Sequence, residues 1–245
     1  MPAGFIGWRM HNTQKSSQAP GQRNPRVVIA CLVMKPELDA LTGDGPDTEI
    51  RYLDQNMHEK PAQMPSVIQA EIDDVEVYAG QVVLGYGLCS NGIVGVKAPR
   101  QGLIIPRVHD CITLFLGSRA IYNKVFYENP GTYYLTPGWV EDRKDPLGYM
   151  ESTYLPKMGR EKAEWGIREE LKNYTRIVMI DTQSADMEPL RKIARENARF
   201  LDKEYVEIKG KKEFFQRILY GPYPDADFIH LQPGEIMQQE MIIDS

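Results

Sequence analysis

Short apolar runs, many of them β-branched, alternate with stretches of helical period from residue 26 to residue 231, and no other feature narrows the fold as much. The runs at 26–31, 81–84 and 102–106 are apolar almost throughout, as strands buried on both faces must be. Runs at 48–53, 131–136, 176–180, 205–208 and 227–231 complete the predicted strands. Between them, Pro36 suits a first helical turn, in a helix ended by Thr42-Gly43-Asp44-Gly45-Pro46. Met64, Val67, Ile68 and Ile72 share one helical face. Segments 109–127 (broken at Gly117-Ser118), 160–173, 186–201 and 211–219 read as further helices, and 142–156 as turns. The pattern predicts an α/β class, Rossmann-like, with a mainly parallel sheet.

Tyr134-Leu135-Thr136-Pro137-Gly138 and His230-Leu231-Gln232-Pro233-Gly234 look alike, which predicts two similar halves with a boundary near residues 142–160. The α/β domain then spans 26–231, with 232–245 as a C-terminal tail. Residues 1–25 are polar and lack the apolar centre of a signal peptide, so they read as a flexible N-terminal extension.

The chemistry-bearing residues gather at predicted strand ends. Val82-Val83-Leu84-Gly85-Tyr86-Gly87-Leu88-Cys89-Ser90-Asn91-Gly92 is a strand running into a glycine-lined turn. Ile104-Ile105-Pro106-Arg107-Val108-His109-Asp110-Cys111 is a second, and Cys31 closes a third. In open α/β sheets ligands bind beyond the carboxyl ends of strands, and thiolate and imidazole suit zinc or iron. The expected metal ligands are therefore Cys31, Cys89, His109 and Cys111. Cys31 is the weakest member, because its neighbours are simply apolar and a free cysteine often only fills space. Gly85 and Gly87, which let backbone approach a bound group, and Ser90 and Asn91 are expected to line a cofactor or substrate. Tyr86, Arg107 and Asp110 are the candidate catalytic side chains, although Arg107 serves equally well in a structural ion pair. His11 lies in the extension. His58 stands in a polar turn and reads as exposed, and His230 as a hydrogen-bonded core histidine.

Other functions are weakly represented. The net charge of −5 gives no general reason to expect nucleic acid or an anionic membrane. No apolar run is long enough to span a bilayer. Three cysteines without framework spacing argue for reduced thiols and a cytoplasmic setting. There is no dinucleotide fingerprint, no Walker lysine and no Gly-x-Ser-x-Gly elbow.

The phrases 85–92, 106–112 (Pro106-Arg107-Val108-His109-Asp110-Cys111-Ile112) and 131–139 (ending Thr136-Pro137-Gly138-Trp139) together resemble the domain of unknown function 1638, over about Val27 to Leu231. The resemblance implies no assigned chemistry. It implies, by association with corrinoid-dependent methyltransferase systems, a place in one-carbon metabolism and a corrinoid protein or methyltransferase as partner. His109-x-Cys111 with a distant cysteine is also similar in ligand type to the zinc site of thiol methyltransferases. The order of the ligands differs, and the chain is short for their eight-fold barrel.

These readings converge on a metal-binding protein with a zinc-type site, a metalloenzyme (transferase or lyase) acting on a small thiol or methylated one-carbon substrate. Four bound ligands would close the site; three would leave a Lewis-acid position open. The alternatives are an enzyme with a 4Fe-4S cluster on three cysteines, a non-catalytic metal or corrinoid carrier, and a metal-free cysteine enzyme pairing Cys89 or Cys111 with His109. A homo-oligomer is compatible with the sequence.

Overall fold

The computed structural model describes residues 24–43 and 47–243. The predicted extension up to residue 23, with His11, and the helix stop at Asp44-Gly45-Pro46 lie outside the described residues. The chain forms two compact units. Of the described residues, the first takes 24–35, 42–43, 47–111 and 216–243; the second takes 36–41 and 112–215. The segment 142–160, expected to hold a boundary, lies inside the second unit.

The first unit contains β1 (Arg26–Cys31), followed after α1 (Lys35–Asp39, which from Pro36 belongs to the second unit) by β2 (Thr48–Leu53). Then come α2 (Met64–Glu76), β3 (Gln81–Gly85) and β4 (Leu103–Pro106). Their sheet has the order β2-β1-β3-β4, all parallel, closed by an antiparallel strand, Phe228–Leu231, beside β4. Val27 to Cys31 are buried without exception, which is why this strand reads as a continuous apolar run. α2 buries Met64, Ile68, Ile72 and Val75. The edge strand β2 carries Arg51, whose guanidinium meets Glu49 at 2.9 Å, Glu71 at 2.9 Å and Asp74 at 2.6 Å.

From β1 the chain steps outward to β2, then crosses back to β3 on the other side. The strand order therefore reverses between β1 and β3, a switch point of the kind that places ligands at the carboxyl ends. Residues 232–243 are no free tail. Met237 is fully buried and exchanges backbone hydrogen bonds with Gly95 and Val96, and Lys97 bridges Ile236.

The second unit continues with α3 (Ile112–Leu116) and α4 (Arg119–Glu128), the predicted helix pair broken at Gly117-Ser118. Its sheet is β5 (Thr132–Leu135), β6 (Arg176–Asp181) and β7 (Glu204–Lys209), parallel with β6 central. α9 (Met187–Leu201) packs Leu190, Ala194, Ala198 and Leu201 into the core with Ile177, Met179 and Leu135.

The stretch expected as turns, 142–156, is mostly helical: α5 (Pro137–Glu141), α6 (Pro146–Tyr149), a π-turn over Met150–Tyr154 and α7 (Leu155–Met158) precede α8 (Arg160–Glu170). Its prolines start helices. Pro137 follows the cap Thr136, whose hydroxyl accepts from Trp139 N at 3.4 Å, and Pro146 follows the cap Asp145. The two Pro-Gly phrases thus differ in kind. One opens a helix after a parallel strand, while the other follows the antiparallel strand and contains Gly234 at φ 82°. The remaining helices are α10 (Glu213–Tyr220) and α11 (Glu240–Ile243).

Asn197, fully buried on α9, joins that helix to α6. Its Nδ2 donates to Asp145 Oδ1 (2.6 Å) and Ile193 O (2.9 Å), and its Oδ1 accepts from Leu147 N (2.8 Å). Asn197→Ala removes three hydrogen bonds and strips a buried carboxylate of a donor, so about 3 kcal/mol of stability should be lost. Urea unfolding followed by circular dichroism checks this; a loss under about 1 kcal/mol would show that the network is dispensable.

Candidate metal centre

Four neighbouring parallel strands each end in a loop that presents one soft or borderline donor. Cys31 is the last residue of β1 and is fully buried. Cys89 and Cys111 follow β3 and β4, and their thiols approach to 3.5 Å. His58 follows β2 on a 3-10 turn, Gln55–Glu59, and its Nε2 lies 3.7 Å from the Cys31 sulfur. All three cysteines are free thiols.

The loop after β3 is held by backbone bonds to the loop after β4: Leu88 N to Val108 O and Cys89 N to His109 O, both 3.0 Å. Cys89, Ser90 and Asn91 are consecutive non-glycine residues with positive φ (46°, 57° and 66°). A left-handed backbone costs about 1–2 kcal/mol per residue, and it persists here because those bonds and the turn from Gly92 N to Cys89 O fix the loop.

Tyr86 lies at the centre. It is fully buried, and its hydroxyl meets the Cys31 thiol without making a well-aligned hydrogen bond among the described residues. Its surroundings are sulfur: Cys31, Cys111 and Cys89 all act on it electrostatically. Burial first, then these thiols, push the Tyr86 pKa well up. Burial, then Cys111, likewise raises Cys31. The bond to Cys111, then burial, raises Cys89. Cys31 and Cys89, held in their neutral form, make poor nucleophiles by themselves, because the thiolate is the reactive species. Burial lowers the pKa of His58, which favours the neutral imidazole.

Among the described residues no group of three or more His, Cys, Asp or Glu side chains stands around a single metal point. The donors form two pairs, Cys89 with Cys111 and Cys31 with His58. His109, expected as a ligand, has an exposed side chain and contributes its carbonyl to the loop pairing. His58, expected at the surface, is half-buried beside Cys31. The signal that could have found it is position: it lies one short turn beyond the carboxyl end of β2.

The other candidates divide. Gly85 packs on Ala30, where an added Cβ would come within 3.0 Å. Gly87 packs on the Asp110 backbone. Ser90 and Asn91 are exposed, and Asp110 is half-buried. Arg107 is committed to structure, its guanidinium donating to the carbonyls of Asp225 and Met241. His230 is exposed and bonds Tyr223 O at 2.8 Å, so it is not a core histidine. No helix among the described residues is long and apolar enough to cross a membrane.

An α/β protein with a cysteine-rich centre at a sheet switch point is the class that fold and site define. The family described as Protein of unknown function (DUF1638) matches residues 52–219, more than half of the chain, and the protein belongs to that family. The matched span contains His58, Tyr86, Cys89 and Cys111, while Cys31 precedes it. No curated protein and no solved structure matches the chain.

Proposed function

We propose that the protein binds a soft, zinc-type metal ion on Cys31, Cys89 and Cys111 and uses it as a metalloenzyme on a small thiol or methylated one-carbon substrate. The observation that supports this best is the 3.5 Å approach of Cys89 and Cys111 from separate strand ends. Two thiolates on one tetrahedral zinc, at about 2.3 Å each, lie about 3.8 Å apart. A 4Fe-4S cluster instead gives each cysteine its own iron, so so close a pair favours a single ion. The buried Tyr86 hydroxyl, beside Cys31, supplies a donor for an anionic sulfur in the same space. A metal there would keep a substrate thiol as thiolate near neutral pH by acting as a Lewis acid.

Elemental analysis with a visible spectrum, on protein purified without oxygen, tests the proposal. About one zinc-type ion per chain and no visible colour are expected, with the metal lost in Cys89→Ser and Cys111→Ser. A brown preparation with stoichiometric iron would establish the cluster instead. Metal-free protein that takes up no added zinc would end the metal reading.

A further inference from the structure

We infer that His58, and not His109, is the imidazole ligand of this centre, completing a Cys31, His58, Cys89 and Cys111 set; the inference rests on the metal reading above. The sheet order β2-β1-β3-β4 places the four donors in sequence along one edge: His58 behind β2, Cys31 behind β1, Cys89 behind β3 and Cys111 behind β4. Neighbouring strands pair their donors. His58 and Cys31 stand 3.7 Å apart, and Cys89 and Cys111 3.5 Å. In tetrahedral zinc, an imidazole nitrogen at about 2.05 Å and a thiolate at about 2.3 Å lie about 3.6 Å apart. Each pair by itself thus has the bite of two ligands on one ion, and binding one ion on all four donors would draw the two pairs together, since no three of them converge without it; three cysteines with one histidine is an established tetrahedral set.

The His58 backbone is built for the task. Its turn is capped by Asp54, whose Oδ1 accepts from Asn56 N at 2.8 Å, and is anchored just ahead of the imidazole by buried Gln55 and Met57. Tyr86 is a second observation at this place: its fully buried hydroxyl stands among the three thiols and against Cys31, the thiol that His58 meets. His109 has the opposite character, an exposed ring on a backbone whose carbonyl fixes Cys89. His58 is also the most accessible of the four donors, half-buried where the cysteines are buried. With a metal bound, it would be the donor that an incoming thiol reaches first.

X-ray absorption on the zinc-loaded full-length protein, with His58→Ala, His58→Gln and His109→Ala beside it, decides the matter. The wild type is expected to show three sulfurs and one nitrogen, unchanged in His109→Ala. Both His58 variants should lose the nitrogen and release zinc to a chelator at least about tenfold more readily. Circular dichroism confirms that they are folded, with the glutamine variant as the gentler change. A nitrogen lost in His109→Ala and kept in His58→Gln would overturn the inference while leaving the thiolate site intact, as would a wild-type centre with sulfur ligands only. Wild type that takes up no zinc would bring down both the inference and the reading beneath it.

Discussion

Protein carrying Gly87→Ala is expected to lose the Cys89–Cys111 pair, with about 2 kcal/mol of stability. A Cβ at position 87 would stand 2.7 Å from both Cα and C of Asp110, closer than real contacts come. These are backbone atoms and no rotamer can relieve them, so the loop after β3 must move off the loop after β4. That movement breaks the bonds from Leu88 to Val108 and from Cys89 to His109, and takes Cys89 away from Cys111. Gly92→Ala is the control. Its worst contacts, at 2.5 and 2.7 Å, are with the far end of the Met64 side chain, and the backbone contact, Cys89 O at 3.0 Å, is milder than those at Gly87. Zinc content and urea midpoints of the two variants should therefore separate clearly. Gly87→Ala with wild-type zinc and a wild-type midpoint would mean that the two loops are not mutually fixed.

The second large effect is one of pH. Glu37, on α1, is 1% exposed; its Oε1 accepts from Thr182 at 2.6 Å and Ser184 at 2.8 Å, and its Oε2 has no hydrogen-bond partner among the described residues. Burial, opposed by those two hydroxyls and reinforced by the charge of Glu141, pushes its pKa up from the ordinary 4.5 to about 7. The folded state then holds this proton more tightly than the unfolded chain does. The resulting stabilisation is complete below about pH 4.5, falls as the pH rises towards 7, and is gone above that. A shift of this size corresponds to about 3 kcal/mol. Glu37→Gln keeps the acceptor oxygen and removes the titration. Relative to this variant, the wild type should lose about 3 kcal/mol of unfolding free energy between pH 4.5 and 7.5. Parallel stability profiles for the two proteins would show that Glu37 does not titrate in this range.

These two residues also show where sequence runs out. β1, β3 and β4 were legible because strands buried on both faces must be apolar throughout, and that leaves a mark in any single chain. Cys31, Cys89 and Cys111 were legible as strand-end residues for the same reason. Glu37 was not, since an acidic residue in a first helical turn ordinarily faces solvent and suits the dipole. His58 was hidden by its polar neighbours Asn56 and Glu59; only the burial of Gln55 and Met57 turns it inward. The helices between Pro137 and Met158 were obscured because Pro, Gly and Asp serve both turns and helix starts. That Met237 belongs to the first unit depends on contacts with Gly95 and Val96, which periodicity does not report.

The closing strand of the first sheet has a consequence for how the chain is made. Leu103–Pro106 is complete long before Phe228–Leu231 leaves the ribosome, because residues 112–215 of the second unit are synthesised between them. Throughout that interval an apolar strand lacks its final neighbour and is a template for wrong pairing, the hazard typical of unfinished sheets. The nascent protein is thus most exposed to aggregation after its cysteines have been made and before its last strand arrives.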